Sequence, residues 1–168
     1  MSSLVFNADE VFELAKQLER RGITFYRRAA EHVPDQATRE LMLDLAQMEE
    51  KHEDTFAEMQ RGLSEDEKAE TLYDPHGEAF RFLQGMADGY VFDLDADPAA
   101  LFEEKPEAGK ILETAIERET ESIAFYACIK GMVPPKYGQE RVDEIMRQEM
   151  GHVVSLSTTL RELRSGSV

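Results

Sequence analysis

Apolar residues recur along the first third of the chain with the period of an amphipathic helix. They form two series, Val11, Leu14, Leu18, Phe25 and Ala29, and then Leu41, Met42, Leu45, Met48, Phe56 and Met59. Because residues three or four positions apart share one face of a helix, the pattern predicts two long helices. The first should begin at a capping box of Asn7 and Glu10 and end near His32. The second should follow the cap residue Asp35 and end near Gly62.

The same period returns in the last third of the chain and predicts a second pair of helices. One should extend from Pro106 to Gly131 and the other from Arg141 to about Leu163. The Pro134–Pro135 pair forces the break between them, because proline cannot continue a helix. Each pair is joined by a short turn, so its two helices must lie side by side and antiparallel.

The intervening residues 63–105 have a different pattern, rich in turn and capping residues. We predict one shorter helix there, from Glu78 to Gly89, then an acidic turn from Asp93 to Asp97 and a brief helical piece after Pro98. This segment is interpreted as a long crossover that returns the chain to the end of the molecule where it began. The predicted fold is therefore all-α, a single four-helix domain over residues 1–168, built from two antiparallel hairpins.

A repeat with a period of one hundred residues relates the two hairpins. Glu-x-x-His occurs at Glu49–His52 and again at Glu149–His152, and Glu19 and Glu119 show the same offset. A spacing of three residues puts the Glu and the His of each motif on one face of a helix. Tyr26 and Tyr126 are a further repeated pair.

The repeated glutamates should converge at one level of the bundle. Each lies about fifteen residues from the turn of its hairpin, and a helix rises about 1.5 Å per residue. For a single glutamate, a solvated position on an acidic surface is the better interpretation. For four together it is not, since burying them uncompensated would cost several kcal/mol each. Two divalent cations would balance their charge of −4. Carboxylate and imidazole ligands without a thiolate suit iron or manganese, and zinc is possible.

These motifs resemble the rubrerythrin-like branch of the ferritin-like superfamily. The resemblance covers both hairpins: a Glu followed seven residues later by a Tyr, then Glu-x-x-His, each occurring twice. It implies a ferritin-like bundle and a homodimer, in which the long crossover would permit exchange of helix pairs between subunits. It also implies that two iron ions are bound by six ligands: Glu19, Glu49, His52, Glu119, Glu149 and His152.

The resemblance further implies an oxidoreductase that reduces hydrogen peroxide or oxidises ferrous iron with dioxygen or peroxide. Rubrerythrins proper carry a rubredoxin domain that supplies electrons, whereas this sequence has one cysteine, Cys128, so we expect an external electron donor. They also place a further carboxylate where this chain has Ser122. A second hypothesis is a non-enzymatic bundle that buffers or carries metal. Tyr26 and Tyr126 could hydrogen-bond a ligand carboxylate or relay single electrons, or could be core aromatics.

Composition narrows the set of partners. The formal net charge is −16, which disfavours nucleic acid and anionic membrane surfaces, because both attract basic proteins. No segment approaches the roughly 20 apolar residues that span a bilayer, and residues 1–4 lack the pattern of a signal peptide. These features predict a cytoplasmic protein without nucleic-acid or membrane partners.

Overall fold

The computed structural model describes residues 5–87 and 97–166, which form a four-helix bundle with a helical crossover. Its α-helices are α1 (Ala8–His32), α2 (Gln36–Arg61), α3 (Glu65–Ala69), α4 (Glu78–Ala87), α5 (Ala108–Lys130) and α6 (Gln139–Ser165). Two 3-10 helices cover Ala100–Glu104 and Pro135–Tyr137. No β-strand occurs in these two ranges, so the all-α prediction is confirmed for them.

The caps of the first hairpin follow the predicted chemistry. At the start of α1, the Asn7 side chain accepts from the Glu10 amide at 2.9 Å, and the Glu10 carboxylate accepts from the Asn7 amide at 3.0 Å. At the start of α2, Asp35 accepts from the Thr38 amide at 2.7 Å. The helices pack along each other over their length, as a three-residue connection requires.

The second hairpin repeats this arrangement with different boundaries. Helix α5 begins at Ala108, two residues later than predicted, and ends before Gly131. Helix α6 begins at Gln139, two residues earlier than predicted, because Gly138 (φ 99°) ends the preceding 3-10 helix in the left-handed conformation. The helices of this pair also pack along each other.

The crossover contains one helix, α3, in addition to the shorter helix and the brief helical piece after Pro98 that were predicted. Ser64 caps α3 through a capping box with Glu67, where turn and capping residues were predicted without a helix. Leu72 donates its amide to the Phe6 carbonyl at 2.8 Å, which ties the crossover to the start of α1. The predicted end of α4 at Gly89 and most of the acidic turn lie outside the described residues. Within the described residues, no helix is long and apolar enough to cross a membrane.

The core consists of two apolar clusters, one toward each end of the bundle. Phe12, Phe56 and Ile145 belong to one, and Met42 and Leu112 belong to the other. Along each long helix, the residues of one cluster are separated from those of the other by a buried glutamate. A layer of buried charge therefore crosses the middle of an otherwise apolar core.

Candidate metal centre

The structure brings the six predicted ligands together in this central layer. Each is at most 8% exposed, although glutamate is rarely buried without a partner. They come from all four long helices, one from α1, one from α5 and two each from α2 and α6: Glu19, Glu119, Glu49, His52, Glu149 and His152.

Their ligand atoms form two groups that share two carboxylates. One group adds Glu19 and His52 to the shared pair, and the other adds Glu119 and His152. Within each group, the four ligand atoms lie within 4.8 Å of one another. The shared residues are Glu49 and Glu149, whose oxygens can therefore serve both groups. This is the arrangement expected of two adjacent cation positions joined by two bridging carboxylates.

Both imidazole rings present Nδ1 to the carboxylates. His52 Nδ1 lies 3.2 Å from Glu49 Oε2, 3.1 Å from Glu149 Oε1 and 3.8 Å from Glu19 Oε2. His152 Nδ1 lies 2.8 Å from Glu149 Oε2 and 3.5 Å from Glu119 Oε1. The two rings stack with their centroids 5.9 Å apart. Nδ1 is thus the nitrogen that each ring offers to the centre.

Burial and mutual proximity shift the pKa values of the histidines and of several glutamates in the centre. Burial and the neighbouring carboxylates raise the pKa of Glu19 and Glu119 well above the ordinary value. Burial acts in the same direction on Glu149, but the adjacent imidazoles of His152 and His52 lower its pKa. Burial opposes protonation of His152, yet its carboxylate neighbours raise its pKa to about 10. The cluster therefore retains protons near neutral pH, and bound cations would displace them.

The donor set fits a pair of metal ions. Glu149 Oε1 is buried and makes no hydrogen bond within the described residues, although His52 Nδ1 lies 3.1 Å away. An orphaned carboxylate oxygen in a buried cluster is the kind of atom that a cation satisfies. Four carboxylates and two imidazoles, without a thiolate, match the ligands of iron and manganese. These features support a dinuclear metal-binding site.

The two repeated tyrosines connect the hairpins through the centre. The Tyr26 hydroxyl donates to Glu119 Oε1, and the Tyr126 hydroxyl donates to Glu19 Oε1. Both tyrosines are almost fully buried, and burial, followed by the charge of the carboxylate each one contacts, raises their pKa. Each tyrosine therefore hydrogen-bonds a carboxylate that the sequence predicts to be a ligand.

A small cavity adjoins the carboxylates between α1 and α5. Its volume is about 30 Å³, and Gly22 and Ser122 lie on its wall with Glu19, Glu49 and Glu119. A cavity of this size holds one water or a molecule of two heavy atoms. A Cβ atom at Gly22 would lie 3.2 Å from Glu49 Cγ, so the glycine leaves room for a shared carboxylate.

Sequence reasoning missed three side chains around the centre. Gln148 Oε1 lies 2.8 Å from His52 Nε2, on the side of the ring away from the carboxylates. Arg118 and the half-buried Glu121 line the cavity, and the Arg118 guanidinium sits 4.6 Å above the centre of the Phe25 ring. Gln148 could have been found from the sequence, because it breaks the repeat: its counterpart is Met48.

Comparison with known proteins supports the fold and the kind of site. No family model matches the sequence, and no curated protein does. A crystal structure from Thermotoga maritima, provisionally described as a ferritin-like diiron-carboxylate protein, is similar with a TM-score of 0.74 and 25% identity. The match covers 94% of this chain and 97% of that one. The fold is ferritin-like. The predicted bundle of two hairpins joined by a crossover is thus confirmed.

Proposed function

We propose that the chain is a rubrerythrin-like di-iron oxidoreductase that reduces hydrogen peroxide or oxidises ferrous iron. The observation that carries the proposal is the pair of overlapping ligand groups, which share Glu49 and Glu149 in a layer closed by apolar side chains. The described diiron-carboxylate character of the Thermotoga maritima protein points to the same metal.

Each residue has a distinct task in this proposal. Glu19 and His52 would hold one iron ion, Glu119 and His152 the other, and Glu49 and Glu149 would bridge them. Placing six ligands on four packed helices fixes the separation of the two positions before any ion is bound. The bridging carboxylates would neutralise the positive charge of the two ions, which the apolar clusters on either side separate from solvent.

The tyrosines position the outer ligands. Each hydroxyl donates to a carboxylate from the other hairpin and so restricts its rotation. Glu19 accepts from Tyr126 at Oε1 and presents Oε2 to His52, whereas Glu119 presents to His152 the same Oε1 that accepts from Tyr26. The hydrogen bonds also hold α1 and α5 in register at the level of the site.

The small cavity suits a small oxidant. About 30 Å³ beside the carboxylates accommodates a molecule the size of hydrogen peroxide or dioxygen. Two ferrous ions held by the two ligand groups would supply one electron each. Two electrons and two protons convert one hydrogen peroxide into two waters. An external reductant would then have to return the electrons for a second turnover.

Stopped-flow absorption of the anaerobic ferrous protein mixed with peroxide or with air tests this activity. We expect a near-ultraviolet band of oxidised iron to form with at least one of the two, and their relative rates assign peroxidase or ferroxidase activity. The Glu49→Gln/Glu149→Gln variant should form no such band. Binding of iron without oxidation by either oxidant would contradict the proposed activity and leave a metal-binding protein.

A further inference from the structure

The two halves of the metal centre differ in how their histidines are held. His52 Nε2 lies 2.8 Å from the side-chain oxygen of Gln148, which comes from α6 in the other hairpin. An amide oxygen only accepts hydrogen bonds, so Nε2 carries the hydrogen and donates it. Nδ1 of the same ring is then the nitrogen that binds a cation, and it already faces three carboxylates.

The other histidine has no such partner in the described part of the chain. The repeat counterpart of Gln148 is Met48, whose thioether is only a weak acceptor and lies 3.8 Å from Lys51 Nζ. No hydrogen bond to His152 Nε2 is found there, and the His152 side chain is 10% exposed, compared with 3% for His52. Among the described residues, its ring is therefore oriented by contacts with Nδ1 and by packing.

From this difference we infer that the centre fills in a fixed order, with Gln148 as the positioning residue. The half formed by Glu19 and His52 takes the first metal ion, and the half formed by Glu119 and His152 takes the second. A hydrogen bond to the far nitrogen of a ligating histidine fixes its tautomer and orientation, and its loss typically costs 10–100-fold in affinity. The inference rests on the proposed dinuclear site and adds to it an inequivalence of the two positions.

Stepwise affinity alone does not test the order, because the first cation repels the second in any dinuclear site. The experiment therefore combines calorimetric titration of the metal-free protein with ¹⁵N NMR of histidine-labelled protein, using Zn²⁺ as a diamagnetic probe. The chain has four histidines, and His32 and His76 lie outside the ligand groups and serve as internal references. At one equivalent of Zn²⁺, we expect the coordination shift at Nδ1 of His52 and little change at His152.

Three variants separate positioning from general structural support. Gln148→Met should weaken the first binding step by roughly 10–100-fold and spread the first equivalent over both histidines. Gln148→Glu keeps an acceptor at the same place and should preserve the order. The exchange Met48→Gln/Gln148→Met should reverse it, so that His152 responds first. Each metal-free variant should retain the circular dichroism of the wild type.

The outcomes distinguish this inference from the proposed site. If both histidines respond equally in the wild type, or if the exchange variant keeps the original order, the inference is wrong while the dinuclear site stands. If neither Zn²⁺ nor Fe²⁺ binds, or if neither histidine responds to bound Zn²⁺, the proposed site itself fails.

Discussion

Gly22 on α1 lies against the shared carboxylate Glu49, and its lack of a side chain leaves room for that carboxylate. A Cβ atom there would meet Glu49 Cγ at 3.2 Å and Cδ at 3.3 Å, a distance at which the carboxylate has to move. Ligands hold a metal well only when they are kept within about 0.5 Å of their productive position. Gly22 is therefore part of the site although it contributes no ligand atom.

Gly22→Ala should accordingly weaken metal binding by roughly tenfold or more, within the range seen when groups that support ligands are lost. Titration with Fe²⁺ under anaerobic conditions measures the change. Gly151→Ala is the matched control, because a Cβ at that exposed helical position meets nothing within 4 Å. It should bind as the wild type does and gain up to about 1 kcal/mol of stability from helix propensity. Wild-type affinity in Gly22→Ala would contradict this account.

Tyr26 supports the centre through its hydroxyl, and Tyr26→Phe isolates that group. The change removes the donor to Glu119 while retaining the ring, so we expect iron affinity to fall by about 10–100-fold. Tyr137→Phe is the control, since the Tyr137 hydroxyl donates to Glu70 at 3.0 Å, away from the centre. Its metal titration should match that of the wild type. Equal effects of the two variants on affinity would show that the Tyr26 hydroxyl has no special role.

At the scale of single elements, the helix caps are the features that follow most directly from the sequence. Asn7, Asp35 and Ser64 all accept a backbone hydrogen bond at the start of a helix. Glu107, at the start of α5, makes no such side-chain bond. The caps should therefore differ in how much they contribute to the free energy of unfolding, and mutation of each cap residue measures the difference.

Asp35→Ala should lower the free energy of unfolding of the metal-free protein by about 1 kcal/mol at pH 7. Burial raises the pKa of Asp35, but the bond from the Thr38 amide outweighs it and holds the pKa below its ordinary value of 3.8. A carboxylate with a lowered folded-state pKa stabilises the protein above the unfolded pKa, and this stabilisation is lost as pH falls through the folded value. The variant and the wild type should therefore converge in urea unfolding below about pH 4.

Glu107→Ala provides the control for this cap, and its stability should stay within about 0.5 kcal/mol of the wild type. An Asp35→Ala variant as stable as the wild type at pH 7 would show that the cap bond does not contribute.

Local pattern and the repeat explain which elements could be predicted. The long helices follow from apolar periodicity and proline breaks, and the six predicted ligands from the offset of one hundred residues. The short helices of the crossover were harder to predict from the sequence, because they depend on contacts with residues distant along the chain. Leu72 is fixed by the Phe6 carbonyl, and Phe102 by the Phe25 ring, with centroids 5.5 Å apart. Gln148 was not predicted, because the repeat identifies positions that are the same in both hairpins. The position of Gln148 differs between them, since its counterpart is Met48.

At the scale of the whole molecule, a charged layer lies between two apolar clusters, and we expect a bound metal to stabilise the folded chain there. A ligand that binds only the folded state stabilises it by about 2.7 kcal/mol at 100 times its dissociation constant. Iron should therefore raise the unfolding temperature of the chelator-treated protein, and removing it again should reverse the gain. Calorimetry under anaerobic conditions measures both.

The Glu49→Gln/Glu149→Gln variant should lose this gain, since it replaces the two carboxylates common to both ligand groups. Glu50→Gln is the matched control, because Glu50 is next in sequence but forms a surface pair with Arg27. It should keep the full gain. A metal-dependent gain that persists in the double variant would place the stabilising ion elsewhere.

The most direct test of the account is anomalous X-ray diffraction at the iron absorption edge from crystals of iron-loaded protein. We predict two peaks per chain about 3.5–4 Å apart, as in dinuclear sites generally. Both should be in contact with Glu49 and Glu149, with one also bound to His52 Nδ1 and the other to His152 Nδ1. A single peak, or peaks only at surface carboxylates outside the central layer, would contradict the account.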